Sequence, residues 1–368
     1  MKGFRRITVV GVGLIGGSLG LALKRKLPDT RVSGVDSQEG VDAGLAAGAL
    51  DAGFPRDRLQ EAVSESDLVF LCAPIDAILR LLPSVAEALP AGGLVTDAGS
   101  TKRRIVETAD RVFPSDRHFI GGHPMAGSEG RGIRWADALL FENAAWVLTP
   151  SRPLPQNRIQ PLGDLIERLG AKVLFLSPVL HDRVAAAVSH LPQLLAVTLM
   201  NWVSDHQEES PHFLKLAAGG FRDMTRIASS PYETWNPILS TNREEILSAL
   251  DAFTGRLSDT RALLEQDRLR KAFDSAAEKR LSIPRDTRGF LRAHHDLRVR
   301  VEDRPGVIAS IASALAERGI NIKDIEILKV REGDAGTLRL SFETPDARAE
   351  AAETLKGIGF TSEPLSGM

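Results

Sequence analysis

Hydrophobic and polar positions change their period along the chain, and the changes divide it. From Ile7 to about residue 150, short β-branched or apolar runs alternate with helix-compatible segments. The runs are Ile7–Val10, Arg31–Val35, Leu68–Ala73, Leu94–Ala98, Phe119–Gly121 and Ala145–Leu148. Such alternation predicts a parallel sheet wrapped by helices. Helices are expected up to Lys26, near Val41–Ala47, over Asp76–Ala88, and up to Val112 with Ser100 or Thr101 as its cap. Pro150–Pro161 reads as a proline-rich surface join. From Leu162 the period turns helical. Leu180–Asp205 predicts a long apolar helix that Pro192 kinks or interrupts. Asn242–Ala277 predicts a second, with Ile246, Leu250, Phe253, Leu257, Leu264 and Leu269 at helical spacing, suited to pairing two subunits, with core packing inside one subunit as the alternative. After a basic linker, Pro284–Ala293, come strand (Asp296–Val301), helix (Val307–Arg318), strand (Asn321–Val330), turn (Glu332–Gly336), strand (Leu338–Glu343), helix (Pro345–Lys356) and a short strand. This βαββαβ order predicts a small ferredoxin-like α+β module. The expected domains are 1–158, 159–288 and 295–368.

The first run empties into Gly11-Val12-Gly13-Leu14-Ile15-Gly16. Gly11 suits a tight turn off the strand, Gly13 lets backbone approach a pyrophosphate, and Gly16 lets the following helix pack closely. The helix N-terminus then faces the phosphates, and Lys24-Arg25-Lys26 falls in the last turn, where the dipole favours cations. The second run ends in Asp36, at the spacing where an acidic residue accepts from both ribose hydroxyls of NAD and repels a 2′-phosphate. Ser37, Gln38 and Glu39 follow, so nothing adjacent welcomes NADP. A Rossmann domain binding NAD is expected, with contacts from Gly11, Gly13, Leu14, Ile15, Gly16 and Asp36 and from the Ala73-Pro74 turn that ends the third run.

Composition narrows the remaining classes. The 368 residues are 43% hydrophobic and 26% charged, enough for two or three globular domains. A formal net charge of −2 gives no reason to expect nucleic acid or an anionic membrane as partner. The apolar runs look too short and interrupted for a membrane span, and the N-terminus leads straight into a strand, with no room for a signal peptide. The one cysteine, Cys72, sits in an apolar run and reads as a buried, inert thiol. A cytoplasmic protein is expected.

Chemistry concentrates in a few places. His123, in Gly121-Gly122-His123-Pro124, reads as a loop histidine whose pKa range suits taking a proton from an alcohol as hydride leaves the same carbon. Ser100 ends the preceding predicted strand and could contact the same hydroxyl. His190 lies beside the Pro192 break. Arg222 or Arg226 would present a planar fork to a carboxylate. Trp235 reads as core or pocket wall. No His, Cys and carboxylate grouping has metal-ligand spacing, and no Gly-x-Ser-x-Gly elbow is present.

At this point GVGLIGGSLG, TDAGSTK, GGHPMAGSEGRG, LFENAAWVLTP, SHLPQLLA and GGFRDMTRIA occur in an order and spacing that resembles prephenate dehydrogenases over nearly the whole chain. The tail DRPGVIASIASALAERGINI resembles an ACT domain, a small amino-acid-binding regulatory module. The resemblance implies a Rossmann domain, an all-α dimerisation domain and an ACT domain. It implies NAD-dependent oxidation of prephenate with loss of the ring carboxylate, giving 4-hydroxyphenylpyruvate. His123 would take the ring hydroxyl's proton, Ser100 would help hold that hydroxyl and the nicotinamide, and His190 would line the pocket. Arg226 would bind a substrate carboxylate with Trp235 nearby, and Ser128, Glu129 and Asp223 would complete the pocket. Gln193 stands where many relatives have a second histidine. No fused chorismate mutase segment is expected ahead of the first strand. Asp303, Pro305, Gly306 and Val307, beside a helix N-terminus, and Asn321, at the start of the next strand, would receive an effector, with tyrosine nominated. A homodimer is implied. Arogenate is the alternative substrate, and a non-catalytic NAD and amino-acid sensor the alternative class.

Overall fold

The computed structural model describes residues 4–127, 130–150, 152, 156–282, 295–302, 304–330 and 336–364. They fall into two compact units, Met1–Ala262 and Leu263–Met368. The first holds eight strands: β1 (Arg6–Val10), β2 (Arg31–Asp36), β3 (Ala52–Pro55), β4 (Leu68–Leu71), β5 (Leu94–Asp97), β6 (His118–Pro124), β7 (Ala145–Thr149) and β8 (Lys172–Phe175). They make one sheet in the order β3-β2-β1-β4-β5-β6-β7-β8. β1 to β6 are parallel, β7 is antiparallel to β6, and β8 is parallel to β7. Helices α1 (Leu14–Lys26), α2 (Gln38–Ala46), α3 (Leu59–Ser64), α4 (Ile75–Ala88), α5 (Arg103–Val112) and α6 (Gln156–Arg168) connect or flank these strands.

The period-2 pleat explains why strands buried on both faces read as unbroken apolar runs. Leu68 and Phe70 of β4 join Ile7, Val9 and Leu19 in one core; Val69 and Leu71 join Val10, Val35, Ile78 and Ile105 in the other. Each such side chain, fully removed from water, contributes about 1.5–3 kcal/mol. Two strands lie where the apolar pattern predicts none. β3 is four residues containing Gly53 and Pro55, and β8 is a sheet edge whose Leu174 and Phe175 stay half exposed, so neither shows an alternating signal. β8 also carries the sheet past residue 158, into the stretch expected to be helical.

The helical part of this unit begins with α7 (Pro178–Ala185) and α8 (Leu191–Asp205), which Pro192 does not interrupt. Between them Ala186–His190 forms a π turn, in which the Leu191 N–H donates to the Ala186 carbonyl, five residues back. One widened turn before the proline keeps the helix continuous. As a result Pro178–Glu208 is, by length and composition alone, apolar enough to cross a membrane, contrary to expectation. Its buried polar residues His181, Asp182, His190 and Gln193 bond within the unit, so one face of this segment packs against the rest of the unit. Then follow α9 (His212–Lys215), α10 (Gly219–Thr225), the 3₁₀ turn Arg226–Ser229, α11 (Tyr232–Thr241) and α12 (Arg243–Glu265). The long helix expected over Asn242–Ala277 is two helices. The Arg268 N–H reaches back to the Leu263 carbonyl and Asp267 takes φ 53°, a helix stop, before α13 (Arg270–Ser282).

The tail is built from β9 (His295–Val301), α14 (Val307–Glu317), β10 (Asp324–Val330), β11 (Gly336–Phe342), α15 (Pro345–Gly357) and β12 (Thr361–Pro364). Its antiparallel sheet has the order β10-β11-β9-β12 over a separate core of Leu297, Val299, Ile311, Leu315, Leu340 and Leu355. Gly306 (φ 88°) is the residue before α14, a backbone position that excludes most side chains. Asn321 precedes β10 by three residues instead of opening it. Asp303, the 332–335 turn and the 284–293 linker lie outside the described residues.

Candidate active site

The parallel strands end on a common edge, and the strand order reverses direction between β1 and β4, where open α/β sheets form their crevice. Gly11 leaves β1 at that point with φ +94°. A Cβ there would meet the Cys72 backbone at 2.8 Å, so only glycine lets the two strand ends lie together. Gly16 is equally constrained, since its Cβ would stand 1.9 Å from the Gly11 carbonyl oxygen. Gly13 is different: nothing lies within 4 Å of a Cβ placed on it. Internal packing does not require that glycine, and the open space beside the start of α1 fits a pyrophosphate. Leu14 and Ile15 open α1, and Ala73 and Pro74 lead from β4 into α4.

Asp36 ends β2. Its Oδ2 accepts from the Val12 N–H at 2.8 Å, and its Oδ1 accepts from the Ser37 N–H and from Arg56 Nη2, each at 2.7 Å. Burial alone would raise the carboxyl's pKa, but the hydrogen bonds from Arg56, Val12 and Ser37 hold it below the usual range. No arginine follows Asp36 directly in sequence, but Arg56 stands beside it in space. β3 pairs with β2 so that Pro55 lies opposite Asp36, which brings residue 56 alongside although it is twenty positions away.

Below this edge sits a buried ionic knot. Lys102 and Asp97 are fully buried and bonded to one another. Lys102 Nζ also donates to the Gly122 carbonyl at 2.7 Å, while Asp97 accepts from the Gly99 N–H (2.8 Å) and the Gly122 N–H (3.0 Å). Burial pushes the Lys102 pKa down, and the charges of Asp97 and Asp182 oppose it. This clamp holds β6 against β5. A Cβ on Gly122 would lie 2.5 Å from the Asp97 carbonyl oxygen, so the glycine before His123 is there for close approach.

His123 is therefore a strand residue, not a loop residue. Its Nδ1 lies 2.8 Å from His181 Nε2, and His181 Nδ1 lies 2.8 Å from Asp182 Oδ1. Asp182 accepts as well from the backbone N–H groups of Lys102 (2.6 Å) and Arg103 (2.9 Å). It thus caps α5 from α7, the task expected of Ser100 or Thr101; Thr101 instead bonds Thr241 at 2.8 Å. Asn242 donates from Nδ2 to the Asp182 carbonyl (2.8 Å) and to His190 Nδ1 (3.2 Å). Burial lowers the His123 pKa well below that of a free histidine, with His181, Lys102 and His190 adding to it. His190 is pushed down to about 4, again mainly by burial. Both imidazoles are neutral at pH 7.

His190 meets the Trp235 ring edge-on, with centroids 6.0 Å apart. Gln193 is buried and donates to the Ile227 carbonyl at 3.0 Å, tying α8 to the turn that Arg226 begins. Arg226 and Asp223 are exposed, and Ser100 is part-buried three residues after β5. Ser128 and Glu129 lie outside the described residues. Just beyond them, Arg131 Nη2 donates to Thr234 Oγ1 at 2.6 Å, tethering the segment after β6 to the helix of Trp235. Asp97, Lys102, His181, Asp182 and Asn242 are absent from the residues singled out by sequence. The available signal was a charged residue inside an apolar run, Leu94-Val95-Thr96-Asp97.

A glycine cradle at a sheet crevice, an acid ending β2 and the neutral imidazoles of half-buried His123 and buried His190 beyond it define the class, a nucleotide-binding oxidoreductase. The chain matches the family described as prephenate dehydrogenase, nucleotide-binding domain, over residues 19–175, its dimerization domain over 177–275, and the ACT domain over 295–354. It is 37% identical to the prephenate dehydrogenase of Bacillus subtilis over 355 residues, 95% of each chain. Among solved structures it resembles prephenate dehydrogenase from A. aeolicus in complex with hydroxyphenyl propionate and NAD+ (TM-score 0.70, 28% identity, 76% of this chain and 98% of that one). It also resembles Synechocystis arogenate dehydrogenase (TM-score 0.66, 30% identity, 75% and 98%). The chain belongs to the prephenate dehydrogenase family.

Proposed function

We propose that this enzyme uses NAD to oxidise prephenate, with loss of the ring carboxylate, to 4-hydroxyphenylpyruvate. The observation that carries the reading is His123, a neutral imidazole held through Nδ1 at the crevice end of β6. NAD, held by the Gly11–Gly16 loop, Asp36 and the Ala73-Pro74 turn, supplies a hydride acceptor when bound. His123 takes the proton of the ring hydroxyl as its carbon is oxidised, and Ser100 orients that hydroxyl. The departing ring carboxylate leaves as CO₂ and the ring becomes aromatic, which makes the reaction strongly downhill. Arg226 offers a bidentate fork to a substrate carboxylate, with His190, Trp235 and Asp223 as further pocket residues, and the same reading gives Ser128 and Glu129 a part in substrate binding. Following absorbance of the reduced cofactor, with prephenate or arogenate crossed against NAD or NADP, tests the reading. Turnover of prephenate with NAD is expected; turnover of arogenate alone transfers the same chemistry to the amino-bearing substrate, and no turnover of either refutes it.

Cofactor preference rests on Asp36 and on Arg56 behind it. Asp36→Ala is expected to raise the Michaelis constant for NAD and raise kcat/KM for NADP, because the released guanidinium then meets a 2′-phosphate. Adding Arg56→Ala should remove the NADP gain. Unchanged constants for both cofactors in the single variant would show that Asp36 does not face the ribose.

The same reading makes the protein a cytoplasmic homodimer, paired through the helical region. Exposed Val184, Val188, Trp202, Leu247 and Leu257 there support the pairing. The tail would take an amino-acid effector, nominated as tyrosine, near Asp303, Pro305, Gly306, Val307 and Asn321. Its separate core supports testing it by removal. A chain ending near Arg292 is expected to keep NAD-dependent turnover and lose its response to tyrosine. Competitive inhibition with the same constant in the shortened chain would place the response at the active site instead.

A further inference from the structure

We propose that Asp182 gives the two active-site histidines opposite tautomers, leaving His123 with a bare Nε2 and His190 with a protonated Nε2. The inference rests on the dehydrogenase reading only for what the two nitrogens then do; the tautomers follow from the bonds themselves. A carboxylate can only accept, so at 2.8 Å from Asp182 Oδ1 the His181 Nδ1 carries a proton. With that Nδ1 proton taken as the only one on the His181 ring, Nε2 keeps a lone pair. His123 Nδ1, 2.8 Å from that lone pair, must be the donor, so the one proton of neutral His123 sits on Nδ1. Its Nε2 is left as an acceptor, the form a base needs to receive a hydroxyl proton.

The second arm uses the other end of the same residue. The Asp182 backbone carbonyl also only accepts, which fixes the Asn242 side chain with its NH₂ group turned toward it at 2.8 Å. The second N–H of that group points to His190 Nδ1 at 3.2 Å. His190 Nδ1 therefore accepts, and its single proton resides on Nε2. The low pKa of His190, about 4, keeps it in this neutral donor form. The site thus holds one imidazole that takes a proton and one that only offers a hydrogen bond, for example to a carboxylate oxygen. Asp182, His181 and Asn242 are positioning residues that act through these rings. The carboxylate is itself held by the Lys102 and Arg103 N–H groups, so its orientation is set by the start of α5.

The test reads tautomers directly, on the full chain labelled with ¹⁵N at histidine, by correlating ring carbon-bound protons with the ring nitrogens near pH 7.5. His123→Asn and His190→Asn assign the signals. In the wild-type protein His123 is expected as the Nδ1–H form and His190 as the Nε2–H form. His181→Phe keeps a ring in the space but removes the acceptor. It should move His123 toward the Nε2–H form, leave His190 unchanged, retain NAD binding and lower kcat by about 10²-fold. Asn242→Asp replaces the donor by an acceptor and should convert His190 to the Nδ1–H form. An Nε2–H form of His123 in the wild-type protein, or a His123 signal unmoved by His181→Phe, overturns the proposal. The wild-type measurement decides even if a variant does not fold. Because it needs no substrate, its outcome is separate from whether prephenate is turned over.

Discussion

His123→Asn is expected to slow the chemical step by about 10²- to 10⁴-fold, the range for a positioned general base, with NAD still bound. Asparagine keeps a polar group of similar reach but cannot accept a proton at neutral pH. Single-turnover kinetics, with cofactor binding followed by tryptophan fluorescence, separate the two effects. Near-normal turnover would mean that the proton leaves by another route. The pH profile gives a second check with a definite sign. Burial holds the His123 pKa well below that of a free histidine and His190 at about 4, so acid must go well past pH 6.5 before either ring is charged. Wild-type kcat should stay level from pH 8 to pH 6, and an acid limb centred near pH 6.5 would contradict the buried neutral imidazole. The same groups affect stability. Between about 4 and 6.5 the unfolded chain binds a proton at residue 190 that the folded chain does not, so stability falls as pH falls through that window.

Lys102→Met is expected to destabilise the nucleotide-binding unit by about 3–5 kcal/mol, the cost of stranding one member of a buried ion pair. Methionine fills much the same volume but leaves the Asp97 carboxylate, fully buried, without its cation and the Gly122 carbonyl without its donor. Urea unfolding followed by circular dichroism measures the loss, and a change below about 1 kcal/mol would show that the pair does not hold β5 to β6. Activity should fall with stability, since Gly122 leads directly into His123. Asp97→Asn should also destabilise, because it strands Lys102 instead and turns an amide NH₂ toward the Gly99 or Gly122 N–H.

Much of the architecture is legible in local pattern. The β-branched runs mark six of the eight large-sheet strands, and the glycine loop marks the crevice between β1 and β4. The βαββαβ order of the tail follows from period changes alone. What misled was local too. Pro192 reads as a break until a π turn absorbs it, and Asp267 in the left-handed region ends a helix that periodicity alone would continue.

His123 and His190 stand out in sequence because each sits beside a conformational punctuator, glycine or proline. The partners that determine their state do not. His181 is 58 residues from His123, Asp182 is 80 from Lys102, and Asn242 is 52 from His190. Nothing local distinguishes His181-Asp182 from a charged pair on a helix surface. The sequence alone therefore determines element types, strand faces and the glycine cradle, because those depend on neighbours two to four positions away. The tertiary structure alone decides which acid pairs with Lys102, which arginine stands behind Asp36 and which imidazole nitrogen keeps its lone pair. Those follow from hydrogen-bond partners that only chain crossing brings together, in an interior where an unpaired charge is too costly to leave.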